Sequence, residues 1–278
     1  MPAAFGVRHS ACRLMVLFLF LSHLGIGIVL TLIFVSREAG VKFFRFNAGL
    51  AAILIAVGFA FHPSSAAGTD AARVGLVALG VLEAATLLYW VTVGRSLASI
   101  RPALVATAAA AGLAAVVMQA IDAVAGHGFT LQAMTIVSFV SSTALLGGTC
   151  TAMILGHWYL VIPSLQVSHL QSIVKLHMAA MAVRVAVVAV AVIVAIATWQ
   201  PGLGPSFRHY ITSVAGVFFW QRVLFGLFGP ALLSYLTWET AKIRSTQSAT
   251  GILYVDFFTV VVGEVLAKYI LLATRVPV

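Results

Sequence analysis

Residues 12–36 read CRLMVLFLFLSHLGIGIVLTLIFVS. After Arg13 the stretch contains no Lys, Arg, Asp or Glu. It is longer than the roughly 20 apolar residues needed to cross a hydrocarbon core about 30 Å thick. Arg8 and Arg13 precede it as a basic segment precedes a signal core. The apolar run continues to Ser36, however, and no convincing small-x-small cleavage motif follows it. We therefore read it as a retained first span. Seven further stretches have the same character: 44–62, 73–94, 103–126, 131–162, 168–199, 211–238 and 250–273. The fold expected is all-α, a polytopic integral membrane helical bundle of eight transmembrane helices. It fills residues 1–278 as a single transmembrane domain.

Composition points the same way. The chain is 62% hydrophobic and 8% charged, whereas soluble domains are about half apolar and about a quarter charged. The connecting loops are too short for a soluble domain, which confines any chemistry to the membrane, its surface or a partner. The net charge of +9 comes from Lys and Arg scattered over short loops. There is no basic stripe interleaved with aromatics, so nucleic acid is not an expected partner. Membrane lipid is, through positive-inside bias and attraction to anionic headgroups. The two cysteines, Cys12 and Cys150, form no Cys-x-x-Cys and no Cys/His cluster. The chain offers no metal site, no cysteine site for an iron–sulfur cluster and no thiol–disulfide pair.

With eight spans both termini lie on one side. Arg8, Arg13, Arg73, Arg208 and Arg275 fall on that side. Arg37, Lys42, Arg45, Arg95, Arg101, Lys242 and Arg244 fall on the other. Seven against five places the termini outside.

Five residues interrupt the apolar runs near mid-depth: His23, Glu83, Arg184, Arg222 and Glu264. A charge at bilayer depth costs about 2.5–3.5 kcal/mol on insertion scales, so each needs a partner or a purpose. Arg222 and Glu264 lie on consecutive helices, and structural helix-to-helix ion pairing is the most economical account of both and of Arg184. Glu264 and Lys268, four residues apart, could also pair along their own helix. His177 and Arg184 are seven apart and share a helix face with Met181. Glu83 has two readings of equal standing, an ion pair with Arg184 or Arg222, or a neutral carboxyl that exchanges protons with a ligand. His23 precedes Gly25 and Gly27, so another helix or a flat ligand can approach closely there. A hydrogen bond to a neighbouring helix is the plainer account of His23. His62, read alone, is a solvated loop histidine. His157 and His177 fall towards the inner face on consecutive spans. They are the best pair for a bis-His haem, although His157-Trp158-Tyr159 also fits an aromatic belt. No internal repeat and no inverted pair of Gly/Pro-broken spans marks a transporter core.

Several positions together resemble the membrane anchor subunits of dimethyl-sulfoxide-reductase-type complexes, the DmsC/NrfD group. The shared features are His62-Pro63 closing span two, Arg73-Val74-Gly75 opening span three, and Glu83 ten residues later. To these are added Gly147-Gly148 in span five, Trp220-Gln221-Arg222 in span seven, and Gly263-Glu264 followed by Lys268 in span eight. The order fits over about half the chain. The family's His-Leu-Gly-x-Pro is shortened here to His-Pro, and His157-Trp158-Tyr159 has no counterpart.

The resemblance implies a bacterial-type cytoplasmic (inner) membrane and a quinone- or quinol-interacting anchor, with menaquinone or ubiquinone as the cofactor and no haem. It implies an oxidoreductase complex in which electrons pass between the quinone pool and a docked iron–sulfur subunit, beside a further catalytic redox subunit. By position, His62 would hydrogen-bond the quinol head group and Glu83 would accept or relay its proton, the two catalytic roles. Arg73 would orient the head group or help dock the partner. His23 joins the quinone-binding candidates on residue type alone. The competing expectations are a b-type cytochrome subunit ligated by His157 and His177, and a proton-coupled transporter.

Overall fold

The computed structural model describes residues 2–63, 68–95, 98–162, 166–199 and 206–278, with side chains from Cys12 onward. The elements are α1 (Pro2–Thr31), α2 (Gly40–Ala60), α3 (Asp70–Thr92), α4 (Arg101–Ala123), α5 (Phe129–Val161), α6 (Val167–Ala197), α7 (Phe207–Thr212), α8 (Val217–Val223), α9 (Gly229–Lys242) and α10 (Thr246–Thr274). Short 3-10 turns follow α1 and α7. Eight stretches are long and apolar enough to cross a membrane, and no strand occurs among the described residues. The protein is an all-α polytopic helical bundle. A 23-residue helix such as α3 rises about 35 Å, enough for a hydrocarbon core. The end of the bundle where the first span begins is called the first face below.

Local chemistry sets the ends of the spans. Pro63 follows α2, where a residue that cannot extend a helix is expected. Thr69 caps α3 by accepting the Ala72 amide at 3.0 Å, and its hydroxyl donates to Asp122 Oδ1 at 2.5 Å. One side chain thereby starts α3 and ties it to the end of α4. Pro102 sits in the first turn of α4, where a missing N–H costs nothing.

The first span is the inner helix of its half of the bundle. Leu19, Ile26 and Ile28 are fully buried, and α2, α4, α5 and α10 all pack on α1. Its closest approach is to α5. A Cβ on Gly27 would lie 2.2 Å from the Thr143 carbonyl oxygen, and one on Gly147 would lie 2.1 Å from the Gly27 carbonyl. Two glycines facing each other let the backbones touch. One helical turn further along α1, the Thr31 and Thr151 hydroxyls bond at 2.6 Å.

In the other half, α5 and α9 each pack against both α6 and α10. α6 and α10 face each other across the diagonal, with at most marginal backbone contact. Long side chains have to fill that diagonal.

Span seven departs from the continuous helix expected over 211–238. It begins with the separate short α7, and a π-turn at Leu224–Phe228 divides α8 from α9. Pro230 supplies the reason. It has no N–H to give the Gly226 carbonyl four residues back. The Gly229 amide reaches five back to Leu224 instead. A Cβ on Gly226 would lie 2.5 Å from the Gly263 Cα, so the π-turn packs directly on α10.

Candidate functional site

The diagonal between α6 and α10 is filled by ions. Arg184 of α6 donates from Nε to Glu264 Oε1 at 2.9 Å and from Nη2 to Oε2 at 3.1 Å. Arg222 of α8 donates from Nη2 to the same Oε1 at 2.8 Å. Its Nη1 donates at 2.7 Å to the Gly226 carbonyl, the oxygen that Pro230 leaves without a helical donor. Ser142 of α5 donates to Glu264 Oε2 at 2.5 Å and accepts from Lys268 Nζ at 2.9 Å. Lys268 itself stays 3.8 Å from the carboxylate. The remaining Arg184 donors reach the Ser138 hydroxyl at 2.8 Å and the Val278 backbone oxygen at 3.1 Å. Every member of the cluster is essentially unexposed. The sequence-derived trio Arg184, Arg222 and Glu264 is thus brought together on one carboxylate, with Lys268 as an outer fourth.

A second polar rung crosses the same diagonal nearer the other face. His177 Nε2 lies 2.7 Å from Asp256 Oδ2, and Nδ1 lies 3.1 Å from the Thr149 hydroxyl. Thr149 donates its own proton to the Leu145 carbonyl at 2.7 Å, so the ring donates the Nδ1 bond. Neither His177 nitrogen is left for a metal. His157 is exposed and bonds Tyr254 across to α10 at 3.1 Å. The haem pair suggested by the sequence is therefore split between the core and the surface. Asp256, which sequence reasoning passed over, had a readable signal. His177 and Arg184 are seven apart in span six, and Asp256 and Glu264 are eight apart in span eight, two parallel helices with matching rungs.

His23 is fully buried, edge-on to Phe139 with ring centroids 4.7 Å apart, and Gln119 of α4 lies beside it. Neither ring nitrogen makes a hydrogen bond of ordinary geometry among the described residues, and Gln119 is the neighbouring-helix side chain placed to interact with the ring.

His62, Arg73 and Glu83 are not brought to one point. His62 lies just past α2, edge-on to Phe18 at 4.8 Å. Burial lowers its pKa from the usual value, and the charge of Asp122 partly opposes that shift. Arg73 makes an exposed i,i+3 contact with Asp70 at 3.4 Å. Glu83 lies ten residues along α3 from Arg73, about 15 Å deeper at 1.5 Å per residue. One head group cannot touch both ends of that interval. Glu83 is half-buried, and its Oε2 has no partner among the described residues. The ion pair with Arg184 or Arg222 does not form, because both guanidiniums are on Glu264.

A cavity of about 740 Å³ opens at the first face, between the start of α5, the end of α6, α7 and the end of α10. Against models of known protein families and against curated proteins, the chain finds no match.

Proposed function

We propose that this chain is a quinone-interacting membrane subunit of a multi-subunit redox complex, the role implied by its resemblance to DmsC/NrfD-type anchors. In this reading it passes electrons between the quinone pool and a docked iron–sulfur subunit at the first face, which lies outside the cytoplasmic membrane. The observation that carries the reading is the isolation of Glu83. The central arginines are committed to Glu264, so among the described residues the carboxyl of Glu83 is left without a counter-ion at mid-depth. Such a carboxyl exchanges protons rather than holding helices together.

His62, just past the end of α2 and favoured neutral, meets the quinol head group and accepts the first proton. Glu83 serves the deeper end of the proton path. Arg73, exposed at the same face, is placed to meet a partner surface. Quinol oxidation gives up two electrons and two protons. The electrons leave through the iron–sulfur partner, since the chain has no cysteine cluster of its own.

The deciding experiment is purification from native membranes followed by quinol-linked turnover. Co-purification of an iron–sulfur subunit, with slower turnover in an assembled Glu83→Gln complex, supports the reading. Unchanged turnover in that complex, or proton-coupled uptake by the chain alone in liposomes, would falsify it. A Soret band in the pure subunit overturns its haem-free form.

A further inference from the structure

The cavity at the first face is built differently from the polar core. Trp199, Phe207 and Tyr210 line it, with Met134 and Val194 among its apolar residues. Phe207 and Tyr210 stack with ring centroids 5.7 Å apart and planes 23° from parallel. Among the described residues Arg275 is the one charged residue in the lining, and no carboxylate joins it there. Its Nη1 donates to the Ala123 carbonyl at 2.7 Å, which fixes the guanidinium near the end of α4 and leaves further N–H groups of the fork. Arg275 adopts a left-handed conformation, φ 61°, an uncommon state for a residue other than glycine. The chain turns there, and Val276 and Pro277 return to the cavity wall. A volume of about 740 Å³ is in the range of small-molecule sites, which are mostly apolar with a few placed polar groups.

We propose that this cavity binds an amphiphile with an apolar body, whose oxygen-acceptor head group is held by Arg275 against the aromatic wall. A quinone carbonyl and an anionic phospholipid phosphate both carry that chemistry. Neither His62 nor Glu83 is among the residues that line the cavity. The site rests on the quinone reading only insofar as a quinone is one of its two sources. Arg275 sets the head group at the level of the first face, and the apolar wall of α5 and α6 receives the body. The Arg275 guanidinium can only donate, which favours acceptors on the ligand.

Native mass spectrometry of the full chain in nanodiscs tests the site, with decyl-ubiquinone and phosphatidylglycerol supplied in separate arms. One tightly held adduct is expected in at least one arm. Arg275→Gln weakens it roughly tenfold, the scale of one charge-assisted hydrogen bond. Ala195→Trp, at a half-buried wall position, blocks it by filling the cavity. Ala84→Trp, on the open face of α3, serves as a control that leaves it unchanged. Binding in either arm with this pattern supports the site, and the arm that binds identifies the source. A phospholipid-only result leaves the quinone reading to be judged by Glu83→Gln turnover. No adduct in either arm, or an adduct indifferent to both Arg275→Gln and Ala195→Trp, overturns the proposal.

Discussion

Arg184 holds Glu264 through two nitrogens on two oxygens, at 2.9 and 3.1 Å, across a diagonal that the helix backbones themselves do not close. That fork does what packing does elsewhere in the bundle. It also leaves Arg222 on one oxygen and Ser142 on the other, so a single carboxylate joins α5, α6, α8 and α10.

Removing the carboxylate charge strands two buried guanidiniums. Glu264→Gln is expected to cost about 3–5 kcal/mol, the usual loss when one member of a buried ion pair is deleted. Lys268→Met is expected to be neutral or stabilising, because Lys268 meets Glu264 only through Ser142 and at 3.8 Å. Thermal melting of both variants in the same detergent checks the contrast. Equal losses would show that Lys268 is an essential member of the cluster.

Glu83 should separate stability from function. Glu83→Leu replaces a half-buried carboxyl whose Oε2 has no partner among the described residues with an apolar side chain, and is expected to raise the melting temperature. Quinol-linked turnover in the same preparation is expected to fall, the usual exchange at a functional site. A variant that melts lower than wild type would indicate a contact that Glu83 makes in the assembled complex.

His62 predicts a pH dependence. Its folded-state pKa is lowered by burial, so the unfolded chain binds the proton more readily. Stability is then fully present above the unfolded value, about 6.5, and is lost as pH falls from there through the folded value. A melting curve taken at pH 7.5 and again at pH 5.5 should show the drop, and His62→Phe should reduce it. A slope unaffected by that substitution would assign the titration elsewhere.

Where Gly27 faces Gly147, the α1–α5 contact admits no side chain. Gly27→Ala places a methyl group 2.2 Å from the Thr143 carbonyl oxygen, and overpacking of this kind costs about 1–3 kcal/mol or more. Gly80→Ala, with nothing within 4 Å of the added methyl, is expected to be neutral or to gain up to about 1 kcal/mol from helix propensity. Expression level and melting temperature of the two variants read out the difference.

How far the sequence could be read depended on which property was local. Hydropathy is summed along one helix, so the spans emerge within a few residues of their structural ends. The largest departures are the start of span two, at Arg37 rather than 44, the end of span seven, at Lys242 rather than 238, and the start of span eight, at Thr246 rather than 250. Arg222 with Glu264 was readable because an apolar run makes any charge conspicuous and the two helices are consecutive. The choice between Glu83 and Glu264 as partner for Arg184 was not. Both carboxylates lie at mid-depth, and only the packing of α6 opposite α10 decides between them. The π-turn was hidden for a related reason. The Gly226 and Pro230 spacing marks a lost hydrogen bond, but the sequence does not say that Arg222 replaces it. Likewise, His62 and Glu83 share a motif spacing, while helical rise puts them at different depths.

The diagonal has a consequence for how the chain is made. Arg184 and Glu264 are 80 residues apart, and chains emerge from the ribosome at about 5–20 residues per second. Span six therefore enters the bilayer on the order of ten seconds before its counter-ion exists. During that interval the guanidinium has to stay near water, at the membrane surface or in an insertion channel. Closure of the α5–α6–α9–α10 group becomes an event of biogenesis, timed by the arrival of the last helix.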